Sequence, residues 1–238
     1  MITRAVAVVD KGAVLREASS GPPLTLRRVH SDEPDVCTIC LVGSAAGPLA
    51  GDDVRLELTV GDGARARVEA SGACLAQGRP GGAPARLTST ASVGDGAELI
   101  AEPPPLIVAR GSAVAVAVIL QLAETASLCW RELVVLGRTG EQAGSLMLDW
   151  DVTRAGRPLL RQTVDLTDER LLGWHGMLGE ARVMATGFLT RPGLAARTIV
   201  ASHTAVAQRI DDVTVLATVL DSDAASARGR LDVLLETL

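Results

Sequence analysis

The stretch that decides the fold runs from Gly43 to Ala70, GSAAGPLAGDDVRLELTVGDGARARVEA. It opens with Gly47, Pro48, Gly51, Asp52 and Asp53 crowded into one turn-forming segment. Glycine supplies positive φ and proline fixes φ at about −65°, so a compact loop forms there without steric cost. Val54, Leu56, Leu58 and Val60 then alternate with Arg55, Glu57 and Thr59, the period-two signature of a half-buried strand. Gly61-Asp62-Gly63 turns the chain, and Ala64 to Ala70 alternates again. The pattern predicts loop, strand, tight turn and strand, a β-hairpin hung from a glycine-rich loop.

Working outward, the turn pentapeptide repeats. Val60-Gly61-Asp62-Gly63-Ala64 recurs as Val93-Gly94-Asp95-Gly96-Ala97, with a weaker echo at Ala123-Glu124-Thr125-Ala126. A turn that recurs at near-regular spacing, each time followed by a strand, predicts successive layers that bury their apolar faces against one another. Ala5 to Val9, Leu24 to Val29 and Val36 to Val42 read as strands before the loop, and Ser71 to Pro84 reads as a Gly/Pro-rich surface crossing. Val114 to Leu120 is apolar at every position, which predicts a strand covered on both faces. Leu133 to Leu136 ends at Gly137-Arg138, and two strands, Leu146 to Val152 and Leu159 to Leu166, form a hairpin around Arg154-Ala155-Gly156-Arg157-Pro158. Residues 195 to 209 read as a short helix, and Arg182 to Leu189 and Val213 to Val219 as the last strands. Ser222 or Asp223 caps a C-terminal helix whose Leu231, Leu234, Leu235 and Leu238 share one face. The fold class is therefore all-β, with stacked β-layers, a few short helices and one domain over residues 1–238.

Composition narrows the function. No run reaches the ~20 apolar residues that cross a bilayer as a helix, and Met1 to Val14 lacks a cleavage-site pattern, so the expectation is a cytoplasmic protein without a membrane partner. Lys11 is the only lysine, which removes a phosphate-binding Gly-Lys-Ser/Thr loop. A net charge of −5 argues against a nucleic-acid surface. Cys37-Thr38-Ile39-Cys40 has metal or redox spacing, but β-branched residues between the sulfurs favour a strand that points them to opposite faces. No second pair completes a zinc set, and Cys74 and Cys129 read as small core residues.

No catalytic constellation emerges. His30, His175 and His203 are far apart, and a lone histidine in an apolar chain is more often structural; His175 stands out because Gly173-Trp174-His175-Gly176 is a turn. Ser44 lacks a nucleophile elbow. The Asp52-Asp53 pair suits a turn that accepts backbone N–H groups as well as it suits a metal.

The ordered set of motifs resembles the urease accessory protein UreD (UreH) family, in its actinobacterial form. The resemblance is carried by Gly47-Pro48-Leu49-Ala50-Gly51-Asp52 with Leu56, Leu58 and Val60, by Gly61-Asp62-Gly63-Ala64, by Gly94 to Leu99, by Pro103 to Ile107, and by Trp130-Arg131-Glu132-Leu133 through Gly137-Arg138. It covers about residues 36 to 166. Two departures stand out: Ala46 replaces the first glycine of the loop, and Pro104-Pro105 stands where the family often has Gln-Glu.

The resemblance implies a helical β-sandwich that is not an enzyme and holds no resident cofactor. It implies a scaffold that binds the urease apoenzyme, UreF and the GTPase UreG, and that passes nickel in transit through a water-filled passage. Asp52 and Glu132, in the two strongest motifs, become candidates for that path, with Gly47, Gly51, Gly61, Gly63, Gly137 and Arg138 as structural positions. Two rivals stand beside this reading: a stand-alone β-helical binding module, and a hydrolase-type enzyme using Asp52, Glu132 or His175.

Overall fold

Gly61-Asp62-Gly63 does not close a hairpin; it carries the chain from one sheet to another. In the computed structural model, which describes residues 1–79 and 81–238, the first part of the chain comprises β1 (Ile2–Asp10), β2 (Val14–Ser19), β3 (Leu24–Val29), β4 (Val36–Gly43), β5 (Asp53–Val60) and β6 (Arg65–Ala70). Then come β7 (Cys74–Ala76), β8 (Ala85–Val93), β9 (Glu98–Ala101), β10 (Leu106–Val108), β11 (Ala113–Leu122) and β12 (Ser127–Leu136). The remainder is β13 (Ser145–Arg154), β14 (Arg157–Leu166), α1 (Glu169–Leu172), β15 (Val183–Thr190), β16 (Ile199–Ser202), β17 (Ala205–Asp211), β18 (Thr214–Asp221) and α2 (Ala224–Glu236).

Strand makes up 56% of the chain and helix 7%, so the all-β expectation with a C-terminal helix holds. β5 pairs in parallel with β1 and β8, whereas β6 pairs in parallel with β4 and β9. The two strands read as a hairpin therefore lie in different sheets. Apolar alternation on both sides of a tight turn fits a hairpin and a sheet-to-sheet arch equally well; only the partner strands distinguish them.

The chain winds as a solenoid. One sheet stacks β1, β5, β8, β11 and β13 in parallel, and the other stacks β4, β6, β9 and β12. The repeated pentapeptides are the corners of successive coils. Gly63 N–H donates to the Asp95 carbonyl (2.8 Å) and Gly94 N–H to the Val60 carbonyl (2.8 Å). Asp62 accepts from the Asp95 N–H (2.9 Å), and Asp95 in turn accepts from the Thr125 hydroxyl (2.8 Å), so the weak echo at Thr125 is a third corner in the same ladder. The first two corners carry two glycines each, in different roles. Gly63 and Gly96 take φ of +63° and +62°, where a side chain would be strained. A Cβ on Gly94 would lie 2.8 Å from the Asp62 backbone nitrogen of the neighbouring corner.

β11 corrects a second expectation. Val114, Val116, Val118, Leu120 and Leu122 are buried between the sheets, but Ala113, Ala115, Ala117 and Ile119 on the other face are only half-buried. Small alanines between strand neighbours made an open face read as a covered one. The hairpin of β13 and β14 forms as expected around Ala155-Gly156. Residues 195 to 209 do not form a helix: Ile199–Ser202 pairs antiparallel with Ala205–Asp211, because β-branched Ile199, Val200 and Val206 favour the ladder. Strand β2 was not foreseen.

Beyond β12 the second sheet continues antiparallel through β15, β18, β17 and β16. Its outer face carries α2, capped by Asp223, which accepts from the Ser226 N–H (2.8 Å). Leu231, Leu234 and Leu235 bury there against Val183, Ala185, Val215, Ala217 and Val219. Between the sheets, the Arg154 guanidinium donates to Asp211 (2.9 Å), to the Thr214 hydroxyl (2.8 Å) and to Thr190, and so ties β13 of the first sheet to the second. Among the described residues no helix is long and apolar enough to cross a membrane.

The corner geometry ranks two substitutions. Gly94→Ala drives a methyl into the backbone of the next corner and is expected to cost about 1–3 kcal/mol. In Gly61→Ala the nearest atom is the Asp10 side-chain oxygen at 3.3 Å, which can move aside, so the loss is smaller. Urea unfolding midpoints check the order; equal midpoints for both variants would contradict it.

Candidate functional site

The inward face of β12 reads Leu128, Trp130, Glu132, Val134, Leu136. Its four apolar members belong to the core between the sheets, and Glu132 stands among them. Strand alternation puts it there, because residues two apart share a face. The neighbouring strand is interrupted at this height. β9 pairs with Ser127 to Trp130 and β10 with Val134 to Leu136, while Glu102 to Pro105 intervene. Prolines lack the N–H a ladder needs, so Arg131, Glu132 and Leu133 have no ladder partner on that side.

At this break lies a pocket of about 130 Å³ between the sheets. The loop residues Gly47, Gly72, Pro103 and Pro104 line it, as do Ser89 on the inward face of β8, Cys74, and Glu132 itself. Glu132 Oε2 is shielded from solvent and has no hydrogen-bond partner among the described residues, although the residue as a whole is half-buried because the pocket reaches it. Burial raises its carboxyl from 4.5 to about 7. The nearby Trp130 indole N–H partly offsets this without reaching hydrogen-bond geometry. Glu132 makes no ion pair with Arg131 or Arg138. Arg131 faces Asp232 (3.6 Å) under α2, and Arg138 pairs with Glu141 (2.9 Å).

Asp52 has a different environment. It is buried, and its two oxygens accept from the Met1 amino group (2.9 Å) and the Leu49 N–H (2.9 Å). These bonds lower its carboxyl below the ordinary range. It thereby fixes the loop bearing Gly47 (φ +145°) and Gly51 (φ +79°), and the Gly47 carbonyl accepts from the Cys74 thiol (3.2 Å). Burial raises that thiol to about 11. Asp52 does not line the pocket; it braces the loop that does. At the far end of β12, a Cβ on Gly137 would lie 2.8 Å from the Gln142 carbonyl, and the Arg182 guanidinium donates to the Leu136 carbonyl (2.8 Å).

Cys37 is fully buried on one face of β4 and Cys40 half-buried on the other, as their spacing predicted, and all four cysteines are free thiols. His30, His175 and His203 are all exposed. Among the described residues no three His, Cys, Asp or Glu side chains gather closely enough to hold a metal ion. Sequence reasoning named Glu132 from its motif alone; the phase of Leu128, Trp130, Val134 and Leu136 was the signal that it turns inward. It missed Ser89, which the inward phase of Ala85, Ala91 and Val93 would have found, and it treated Cys74 as core packing.

Comparison with known proteins is consistent along the chain. A family model described as UreD urease accessory protein matches residues 3–238, beyond the stretch whose motifs carried the resemblance. Urease accessory protein UreD of Frankia alni is 39% identical over 176 residues, 66% of this chain and 59% of that protein. UreD of Frankia casuarinae is 36% identical over 200 residues, 77% of this chain and 62% of that protein. Urease accessory protein UreD 3 of Streptomyces griseus is 34% identical over 230 residues, 93% of this chain and 89% of that protein. The chain thus spans about three fifths of the two Frankia proteins.

The Glu132 environment fixes a pH dependence. Its carboxyl is raised on folding, so the folded state holds a proton that the unfolded state releases between pH 4.5 and about 7. Stability therefore falls as pH rises through that window. Glu132→Gln keeps the shape and removes the charge, so it should match the wild type near pH 4.5 and exceed it by up to about 3 kcal/mol at pH 8. Urea unfolding at both pH values tests this; parallel stability–pH curves for the two proteins would refute it.

Proposed function

Because the chain belongs to the UreD urease accessory protein family, we propose that it serves urease maturation as a non-catalytic scaffold that engages the urease apoenzyme, UreF and UreG and lets nickel pass through its interior. The observation that supports the nickel step is Glu132, which lines the pocket between the sheets and whose Oε2 is shielded from solvent without a hydrogen-bond partner among the described residues. Ni²⁺ is the cargo. It accepts carboxylate oxygen and imidazole readily. Glu132 alone offers a weak hold, and a protonated fraction near neutral pH weakens it further, since an incoming cation must displace the proton. A carrier benefits from such weakness, because an ion must leave as readily as it enters.

The bracing of the glycine-rich loop by Asp52 gives that acid a supporting part in the same reading: it holds Gly47 at the pocket without spending Glu132's charge. A stand-alone β-helical module would continue its parallel coils, whereas here parallel stacking ends at β12 and β13 and antiparallel strands follow.

The test is reconstituted maturation with urease apoenzyme, UreF and UreG at limiting nickel. Glu132→Gln should fold, retain its partners in pull-down, and slow nickel-dependent activation by at least roughly tenfold, the scale that losing even an outer-shell partner of a bound metal costs. Full-rate activation with intact complexes would take Glu132 off the nickel path.

A further inference from the structure

The pocket at the break between β9 and β10 is lined mainly by apolar groups. Val54 and Leu56 of β5, Leu106 of β10 and Val116 of β11 contribute to its wall. Glu132 is the only charged side chain among the described residues that line it, so no Lys or Arg there offsets the carboxylate. Ser89 adds a hydroxyl, whereas the Cys74 thiol already donates to the Gly47 carbonyl (3.2 Å).

The acid and the wall suit different parts of one ligand. A shielded carboxylate oxygen without a partner, as Glu132 Oε2 is, gains most from a donor that carries positive charge. The apolar wall offers nothing to a hydrated metal ion, but it favours every methylene taken out of water. Among the described residues no three His, Cys, Asp or Glu side chains gather to hold an ion, whereas an ammonium needs only one opposite charge. At about 130 Å³ the pocket approaches the size of an engineered apolar cavity of about 150 Å³ that takes up benzene, so a ligand of about five or six heavy atoms fits.

We propose that this pocket binds a small organic cation, a primary ammonium on an apolar stem of about four carbons, with the ammonium on Glu132 and the stem between the sheets. The Ser89 hydroxyl oxygen is a second acceptor in the same pocket. The assignment goes beyond nickel transit and does not rest on it; the two cations would use the same carboxylate in turn.

Titration of the wild-type chain with n-butylammonium chloride, at fixed ionic strength and at pH 8, tests this; burial raises the Glu132 carboxyl to about 7, so it is mostly ionised there. n-Butylammonium should bind at least about tenfold more tightly than n-butanol, which has the same stem without the charge, and Glu132→Gln should erase that difference. On the wild type alone, affinity should rise about fourfold for each methylene from ethylammonium to butylammonium, then level off by octylammonium, whose stem exceeds the cavity. Equal binding of butylammonium and butanol, or butylammonium binding unchanged in Glu132→Gln, would overturn the assignment. A rise that continues undiminished to octylammonium would place the stem on open surface and overturn it too, as would no measurable binding of butylammonium. Neither nickel nor a partner protein enters the measurement, so its failure leaves the scaffold reading standing.

Discussion

Everything in this molecule depends on the chain crossing between two sheets at each corner. A strand paired in parallel with the coil before it and the coil after it cannot turn back beside itself, so it must cross over. Every strand then offers the same alternate positions to one shared interior. Aromatics are only 2% of the chain, so small aliphatic side chains fill that interior. The bulky rings gather where the parallel coils give way to antiparallel strands: Trp130 on β12 is in register with Phe188 on β15, and Phe188 lies 6.3 Å from Trp150 on β13.

Much of this was legible because its causes are local. Period-two alternation located most strands, the repeated Val-Gly-Asp-Gly-Ala located the corners, and Asp223 with Leu231, Leu234 and Leu235 located α2. What failed was non-local. Whether Gly61-Asp62-Gly63 joins partners or opposite sheets depends on β1, β4, β8 and β9, none of which adjoins the turn in sequence. The open outer face of β11 was hidden because alanine is apolar yet small enough to stand half-exposed at little cost. Within residues 199 to 211, Ala205 to Asp211 also pairs with β18, a partner that the local pattern does not reveal. At the site, Glu132 was visible as a motif, but its depth required both the strand phase and the proline break opposite.

The two ends of the coils are built differently. At the corners, Asp62, Asp95 and Thr125 relay hydrogen bonds from coil to coil, and Arg154 closes the sandwich with Asp211, Thr190 and Thr214. This end is cross-braced by side-chain hydrogen bonds between coils and between sheets. At the other end the returns are glycine- and proline-rich, and Gly47, Gly72, Pro103 and Pro104 leave space between the sheets. Irregular backbone placed on a rigid scaffold is where binding residues concentrate.

Asp52 and Glu132 show how the environment divides two acids between roles. Asp52 is met by an ammonium and a backbone N–H, which favour its charged form and fix it in a structural task. Glu132 is met by apolar neighbours, whose disfavouring of its charge the nearby Trp130 indole N–H only partly offsets, and an oxygen is left uncommitted. A carboxylate already satisfied has nothing left to offer a passing cation, and one left unsatisfied in an apolar wall gains most when a cation arrives. On the proposed nickel path, the same physics that makes Glu132 costly to the fold would make it the acid with an oxygen to offer a cation, while Asp52 holds the loop at the pocket in shape.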